Sequence, residues 1–281
     1  MRLPEWVKAK CPSRDALELK KTLRRKGLHT VCEEARCPNM GECFSRPTAT
    51  FMILGSRCTR NCGFCSVLSG APGPPDPEEP RKLAAAAGEM GLKYVVITSV
   101  TRDDLPDSGA GQFAACIRAV KREIPGAKVE VLTPDFKGDM DALKTVLEAG
   151  PDVFNHNVET VPALYPVVRP QADYARSLFI LESAGRLAPG MPVKSGFMLG
   201  LGESMDEVYS LMEDLRSSGC GMLTIGQYLQ PTKANLPVRE YVRPEIFEGL
   251  KAAALAMGFK SVASGPLVRS SMNAEEHYAH V

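Results

Sequence analysis

From Thr50 onward the chain alternates short β-rich apolar runs with longer amphipathic stretches, and this rhythm restricts the fold more than any other feature. TFMIL, KYVVITSV, KVEVL, PDVFNHNVE, PVKSGFMLGL and GMLTIGQYL read as strands, with KSVAS as a late short one. Between them EEPRKLAAAAGEM, GAGQFAACIRAVKREI, FKGDMDALKTVLEAG, ADYARSLFILESAGRL, MDEVYSLMEDLRSSG and RPEIFEGLKAAALAMG read as helices, several of them closed by glycine. Strands that alternate with helices require right-handed crossovers and a parallel sheet. Six strands before the tail are too few for an eight-unit barrel. The expected fold is α/β, an open partial (β/α)6 parallel barrel, with a doubly wound sheet as the alternative. In either case functional residues belong on loops beyond the carboxyl ends of the strands.

Residues 1–49 stand outside the rhythm. ALELKKTLRRKG reads as a basic amphipathic helix, and a burst of cysteines follows it. The expected organisation is an N-terminal extension over 1–49, the partial barrel over 50–258 and a C-terminal tail over 259–281. GAPGPPDPEEP is a stiff connector. A formal net charge of +1 gives no support for bulk binding to nucleic acid. No apolar run is long enough to cross a bilayer, and MRLPEWVKAK lacks the apolar core of a secretory leader. Neither nucleic acid nor membrane is an expected partner, and the expected compartment is the cytoplasm. There, dense cysteines point to metal before disulfides.

Six cysteines fall in two bursts: Cys32, Cys37 and Cys43 in VCEEARCPNMGEC, and Cys58, Cys62 and Cys65 in RCTRNCGFC. Each has three thiols, an odd number for disulfides and one short of a closed four-cysteine site. The second burst sits just after the strand TFMIL, where a site belongs. Three thiolates on a four-iron cube leave one iron open to bind a substrate, whereas a closed site only carries electrons. Zinc is the alternative at both bursts, although it favours four-ligand sites and no fourth Cys or His lies beside the first. His29 precedes that burst and is a weak candidate. Cys11, Cys116 and Cys220 stand alone. Cys116 lies in the apolar run QFAACIRAV and reads as a buried small hydrophobe.

The loop around Cys58-x3-Cys62-x2-Cys65 resembles the radical S-adenosylmethionine (SAM) superfamily, with Phe64 at the position where that family has an aromatic beside the cofactor. The resemblance narrows further along the chain. LHTVCEEARCPNMGECF, RCTRNCGFCSV, VVITSVTRDDL, FNHNVETV, KSGFMLGLGE and GPLVRSSMNA occur in the order found in the lipoyl synthase family, from about Leu3 to Glu276. It implies a partial barrel of radical SAM type and two 4Fe-4S clusters. One, on Cys58, Cys62 and Cys65, binds SAM through its open iron and cleaves it by one electron to a 5′-deoxyadenosyl radical. The other, auxiliary, sits on Cys32, Cys37 and Cys43 and is taken apart to supply sulfur. Its fourth ligand is a serine, Ser271 in the run Arg269-Ser270-Ser271-Met272. An oxygen ligand is harder and more labile than thiolate, which suits an iron that must be released.

The resemblance further implies insertion of sulfur at C6 and C8 of an octanoyl chain on a carrier lysine. The carriers would be the glycine cleavage H protein or acyltransferase subunits of 2-oxoacid dehydrogenases, and the reductant a ferredoxin or flavodoxin. Two departures stand out: Met272 replaces a tyrosine, and Ser108 in DDLPDSGA a glycine. The rivals are a radical SAM enzyme acting on another substrate and a two-cluster electron carrier; the long alternation argues against the latter.

Polar residues at later strand ends are candidates for SAM contacts: Thr98 and Ser99, Asn155, Asn157 and Glu159, Lys194, and Gln227. Glu159 is placed to meet ribose hydroxyls, and Lys194 or Gln227 the SAM carboxylate or adenine. Such residues also serve as caps, and His156 reads equally as a structural hydrogen bonder. Lys20, Lys21, Arg24 and Arg25 form a basic helical run that is either a solvated face or a dock for an acidic carrier domain.

Overall fold

The computed structural model describes residues 3–8, 14–43 and 50–281. Cys11 and parts of the leading run MRLPEWVKAK lie outside the described residues. The chain divides into two compact units, one of residues 9–60 and 66–154, the other of 1–8, 61–65 and 155–281.

The first unit opens with α1 (Arg14–Arg25), β1 (His29–Thr30), α2 (Val31–Glu34) and α3 (Met40–Cys43). β2 (Thr50–Ile53) follows, then the two-residue strands β3 (Arg57–Cys58) and β4 (Leu68–Ser69), which pair with each other. α4 (Glu79–Glu89), β5 (Tyr94–Ser99), α5 (Ala110–Glu123), β6 (Lys128–Leu132) and α6 (Met140–Glu148) complete it, and the chain leaves through β7 (Val153–Asn155). β1 is antiparallel to β2, while β2, β5 and β6 run parallel, with Phe51 beside Ile97 and Ile97 beside Val131. These runs are apolar at every second and often every position because helices cover the sheet. Phe113, Ile117, Leu143 and Val146 from α5 and α6 are fully buried with Val95, Val129 and Val131.

The second unit holds α7 (Tyr165–Val168), α8 (Tyr174–Leu187), β8 (Val193–Leu199), α9 (Met205–Ser217), β9 (Met222–Gln227), α10 (Pro244–Ala256), β10 (Ser261–Gly265) and α11 (Ala274–Tyr278). β8, β9 and β10 are parallel neighbours. Asp173 caps α8 through the Arg176 amide, and Ser204 and Glu207 form a reciprocal capping box at the start of α9.

The alternating strands and helices stand where the sequence places them, and the fold is α/β with mostly parallel strands. Two boundaries differ. The helix expected from Phe136 begins at Met140. Phe136 and Lys137 both have positive φ in a tight 3-10 turn, and the Asp139 carboxylate then caps the amides of Asp141 and Ala142. The strand expected through Glu159 stops at Asn155. Glu159, at φ +66°, makes only a bridge to β8, donating to the Gly196 carbonyl at 3.0 Å and accepting from the Met198 amide at 2.9 Å.

Candidate active site

In the first unit, Cys32 lies on α2, Cys37 in the turn after it and Cys43 at the end of α3. The turn is closed by a bond from the Cys37 amide to the Cys32 carbonyl at 3.0 Å, with Arg36 at φ +51°. Asn39 then accepts the Cys43 amide at 2.9 Å through its carbonyl. The three cysteines pack in one cluster with Leu19, Val31 and Met40. Burial, and after it the neighbouring Cys37 and Cys43, pushes the Cys32 thiol up to about 12. Three thiols within electrostatic reach of one another are a costly arrangement for thiolates alone. Bound cations remove that cost, so the donor set fits an iron–sulfur cluster. None of the described cysteines is in a disulfide. Among the described residues no three His, Cys, Asp or Glu side chains converge on a point as one metal ion requires. A four-iron cube makes a different demand, one thiolate at each of three corners.

Cys58, also in the first unit, ends β3. Its sulfur accepts from the Arg60 and Thr101 amides at 3.4 and 3.3 Å, and its carbonyl from Gly70 at 2.9 Å. Thr59 is bonded to the Thr101 carbonyl, and Arg60 is held by Asp103 and Asp135. The segment after β3 is thereby fastened to the loops that follow β5 and β6.

Residues 61–65 belong to the second unit. The Gly63 amide donates to the Val168 carbonyl at 2.9 Å, and its own carbonyl accepts the Leu236 amide at 3.0 Å. A Cβ on Gly63 would come within 2.8 Å of the Leu236 side chain, so this loop and the one carrying Leu236 meet closely only because residue 63 is glycine. Asn235 donates its amide to the Cys65 carbonyl at 2.8 Å and the Gly63 carbonyl at 3.3 Å. Phe64 packs beside Val168, Leu201 and Tyr228. The sequence offers no sign of Asn235, an ordinary polar residue in a proline-flanked loop.

The strand-end candidates divide by what they touch. The Ser99 hydroxyl is buried without a hydrogen-bond partner among the described residues, while Thr98 donates to the Leu132 carbonyl at 2.9 Å. Asn155 is fully buried. The Glu159 carboxyl is raised by burial, against the pull of Arg169, an Asn157 hydrogen bond and Arg269. Gln227 is committed to the backbone: its amide nitrogen faces the carbonyls of Leu199, Tyr228 and Glu240, and its oxygen accepts from Val242. Asn157 and Lys194 both meet Ser270. The Ser271 hydroxyl has no hydrogen-bond partner among the described residues. His156 bonds Ser177 at 3.1 Å, and His29 pairs with Glu34 at 3.0 Å. On the basic helix, Lys20 and Arg24 share Glu33, and Lys21 reaches Glu18.

The fold and the cysteine loop define a radical SAM protein. The family model of the radical SAM superfamily matches residues 52–215, and that of the N-terminal domain of lipoyl synthase matches residues 1–37. Among solved structures, methylornithine synthase superposes with a TM-score of 0.58 at 16% identity, covering 75% of this chain and 62% of that one. The [FeFe]-hydrogenase maturase HydG superposes with 0.57 at 17%, covering 90% and 63%. At such identities these neighbours speak for the fold alone. Lipoyl synthase of Rubrobacter xylanophilus is 60% identical over 97% of this chain and 85% of its own length. That of Caldanaerobacter subterraneus is 55% identical over 98% and 96%. The chain belongs to the lipoyl synthase family. It is a radical SAM enzyme that uses SAM and two 4Fe-4S clusters.

Proposed function

We propose that this chain inserts two sulfur atoms, at C6 and C8, into an octanoyl group amide-linked to a lysine of a lipoyl carrier protein. The observation that carries the reading is the pair of cysteine triads, each one ligand short, in a chain so close to its relatives. When bound, SAM and the two clusters supply hydrogen abstraction from the chain and the sulfur that replaces the hydrogen. The protein's part is to hold, orient and exclude water.

Cys58, Cys62 and Cys65 hold the SAM cluster. The Asn235 bonds to Gly63 and Cys65 and the Arg60 ion pairs keep their backbone from shifting when iron enters. Phe64, Thr98, Ser99, Asn155 and Glu159 serve SAM. Ser99 brings a hydroxyl with no partner among the described residues, and Glu159 a half-buried carboxyl suited to accept from ribose hydroxyls. Cys32, Cys37 and Cys43 hold the auxiliary cluster, and Ser271 is its fourth ligand, supported by a hydroxyl with no hydrogen-bond partner among the described residues. Residues 1–49 and the tail after 258 thus carry the auxiliary ligands, and the region between them the SAM cluster.

The substrate is an octanoylated carrier domain, of the glycine cleavage H protein or of a 2-oxoacid dehydrogenase acyltransferase, and the electrons come from a ferredoxin or flavodoxin in the cytoplasm. A lysyl arm limits positional entropy at the site, so free octanoate is a poor substrate. Anaerobic reconstitution followed by mass spectrometry of an octanoyl-lysine peptide with SAM and reductant tests the reading. Gain of two sulfurs supports it. SAM cleavage with no sulfur gained would favour a radical SAM enzyme of another substrate, and iron loading with no SAM cleavage an electron carrier.

A further inference from the structure

Ser270 in the tail is held from several sides. Its hydroxyl lies 2.7 Å from Nδ2 and 2.9 Å from Oδ1 of Asn157, and 3.3 Å from Oγ1 of Thr224. Its carbonyl accepts from Lys194 Nζ at 2.6 Å. The three partners come from three places: Asn157 follows β7, Lys194 is on β8 and Thr224 on β9. Lys194 is 1% exposed and Thr224 4%. A buried ammonium is costly to desolvate, and here it is spent in part on one backbone carbonyl of a C-terminal loop. Asn157 is itself steadied, its carbonyl accepting from the Arg169 guanidinium at 2.9 Å.

The strands are also cut away to receive the tail. Gly196 of β8 sits beside Thr224, and a Cβ there would strike Thr224 Oγ1 and come within 3.1 Å of Asn157 Oδ1. Gly226 of β9 lies beside Gly265 of β10, and a Cβ there would strike the Val268 carbonyl oxygen. The Gln227 amide donates to the Pro266 carbonyl at 3.3 Å. Segment 266–270 therefore lies on bare backbone, and its last residue is bonded through both side chain and main chain. The next residue is Ser271, with no hydrogen-bond partner among the described residues.

We infer that Lys194, Asn157 and Thr224 are positioning residues that fix the register of Arg269-Ser270-Ser271-Met272, so that Ser271 and not Ser270 offers the iron-binding oxygen. This rests on Ser271 being the auxiliary-cluster ligand. Of two adjacent hydroxyls one is consumed by the protein and the other has no partner among the described residues. The clamp supplies the constancy that a labile oxygen ligand lacks: the oxygen can leave the iron while the tail keeps its place. Without the clamp the tail slides, and either serine or water takes the iron.

The test uses full-length protein carrying Cys58→Ala, Cys62→Ala and Cys65→Ala, so that only the auxiliary cluster is reconstituted with iron-57 and its Mössbauer spectrum is read. An oxygen-bound iron receives less charge than a thiolate-bound one and stands apart from the other three. Lys194→Met, Asn157→Leu and Thr224→Val, which remove the polar groups but keep side chains of similar branching, are expected to blur or remove the distinct iron while leaving iron content unchanged. In the otherwise unaltered enzyme the same three variants lower sulfur insertion by about tenfold to a hundredfold, with SAM cleavage and the KM for SAM unchanged. Lys194→Arg, which keeps a donor, restores part of both signals. A distinct iron that persists in Ser271→Ala defeats the ligand reading itself. Loss of that distinct signal in Ser271→Ala, but a parental spectrum and parental sulfur insertion in the three clamp variants, overturns the clamp and leaves the ligand standing. A raised KM for SAM in Lys194→Met assigns Lys194 to the cofactor and also overturns it.

Discussion

The guanidinium of Arg60 bonds the carboxylate of Asp135 at 2.6 and 3.0 Å, and that carboxylate is wholly buried. The same side chain reaches Asp103 at 2.7 and 3.0 Å. Burial by itself would weaken the positive charge, but the two carboxylates outweigh it and raise the Arg60 pKa. Arg60 follows Cys58 by two residues, so this triad ties one end of the cysteine loop to the segments after β5 and β6. Arg60→Met strands the Asp135 charge and should cost about 3–5 kcal/mol of stability. Adding Asp135→Leu should return part of that loss, as the buried pair is then gone and only the more exposed Asp103 stays unpaired from Arg60. Urea melts of the single and double variants measure it; equal melts for Arg60→Met and the parent would show the triad to be idle.

Asn235 secures the other end. Its amide holds the carbonyls of Cys65 and Gly63, and the neighbouring Leu236 amide holds Gly63 again. Asn235→Asp turns a donor into a carboxylate facing two carbonyl oxygens. Deoxyadenosine formation should fall by about tenfold to a hundredfold, because the loop no longer holds its shape around the SAM cluster. Sulfur inserted per deoxyadenosine formed should not change, since the auxiliary cysteines are untouched. A drop in that ratio would place Asn235 in the insertion step instead.

Much of this was legible from periodicity. KYVVITSV is apolar nearly throughout, KVEVL puts Val129 and Val131 on one face and Lys128 and Glu130 on the other, and they are the buried parallel strands β5 and β6. The cysteine triads announce themselves by spacing. What could not be read depends on partners far apart in the chain. Ser270 and Asn157 are separated by more than a hundred residues, and nothing local marks either as half of a pair. Lys194 and Gln227 are polar residues at strand ends by sequence, but the structure gives Lys194 the Ser270 carbonyl and Gln227 four backbone groups. The false start of α6 has a backbone cause. Gly138 and Asp139 are poor helix formers, and two residues with positive φ delay the helix to the Asp139 cap.

Ser108 shows what a departure from the family costs. It has φ +51°, in the left-handed region, immediately before Gly109 at φ +89°. Glycine meets that conformation without strain, whereas a side chain costs about 1–2 kcal/mol there. The greater freedom of glycine in the unfolded chain offsets part of the gain. Ser108→Gly should therefore stabilise the protein by about 0.5–1 kcal/mol, seen as a higher urea midpoint at unchanged activity. A lower midpoint would mean that the buried serine side chain contributes more than its backbone strain takes away.

Asp152 gives the first unit a pH-dependent tie. Burial would raise its pKa, but the Val129 amide, Lys128 and Lys121 overcome this and hold it below its ordinary 3.8. Lys121 and Lys128 each lie 3.0 Å from it. A folded value below the unfolded one means stability that is present above about pH 4 and is lost as pH falls through the folded value. Asp152→Asn should cost about 1 kcal/mol at pH 7 in low salt, less in high salt because both lysines are partly exposed. The difference from the parent should shrink on acidification towards pH 3. A difference that stays constant between pH 7 and pH 3 would leave hydrogen bonding to Val129, and not charge, as the source.

The sharpest test of the auxiliary site is Ser271→Cys. Reconstituted parent protein should hold about eight irons, one four-iron cube on each triad. Replacing Cys58, Cys62 and Cys65 by alanine should remove half of them and abolish SAM cleavage, while replacing Cys32, Cys37 and Cys43 should spare SAM cleavage and stop sulfur insertion. Ser271→Cys should keep the full iron content, because thiolate is a softer and firmer ligand for ferrous iron than a serine oxygen. An iron that is held more firmly is released more slowly, so the variant should form deoxyadenosine yet stall before or at the first carbon–sulfur bond. Ser271→Ala should keep its cube on three thiolates and lose insertion more than SAM cleavage. Ser270→Ala removes the hydroxyl that Asn157 and Thr224 hold while Lys194 keeps the residue 270 carbonyl, so it should lower insertion about as much as those clamp variants and stop short of the stall in either Ser271 variant. Lipoyl formation at the parental rate in both Ser271 variants would remove that hydroxyl from the chemistry.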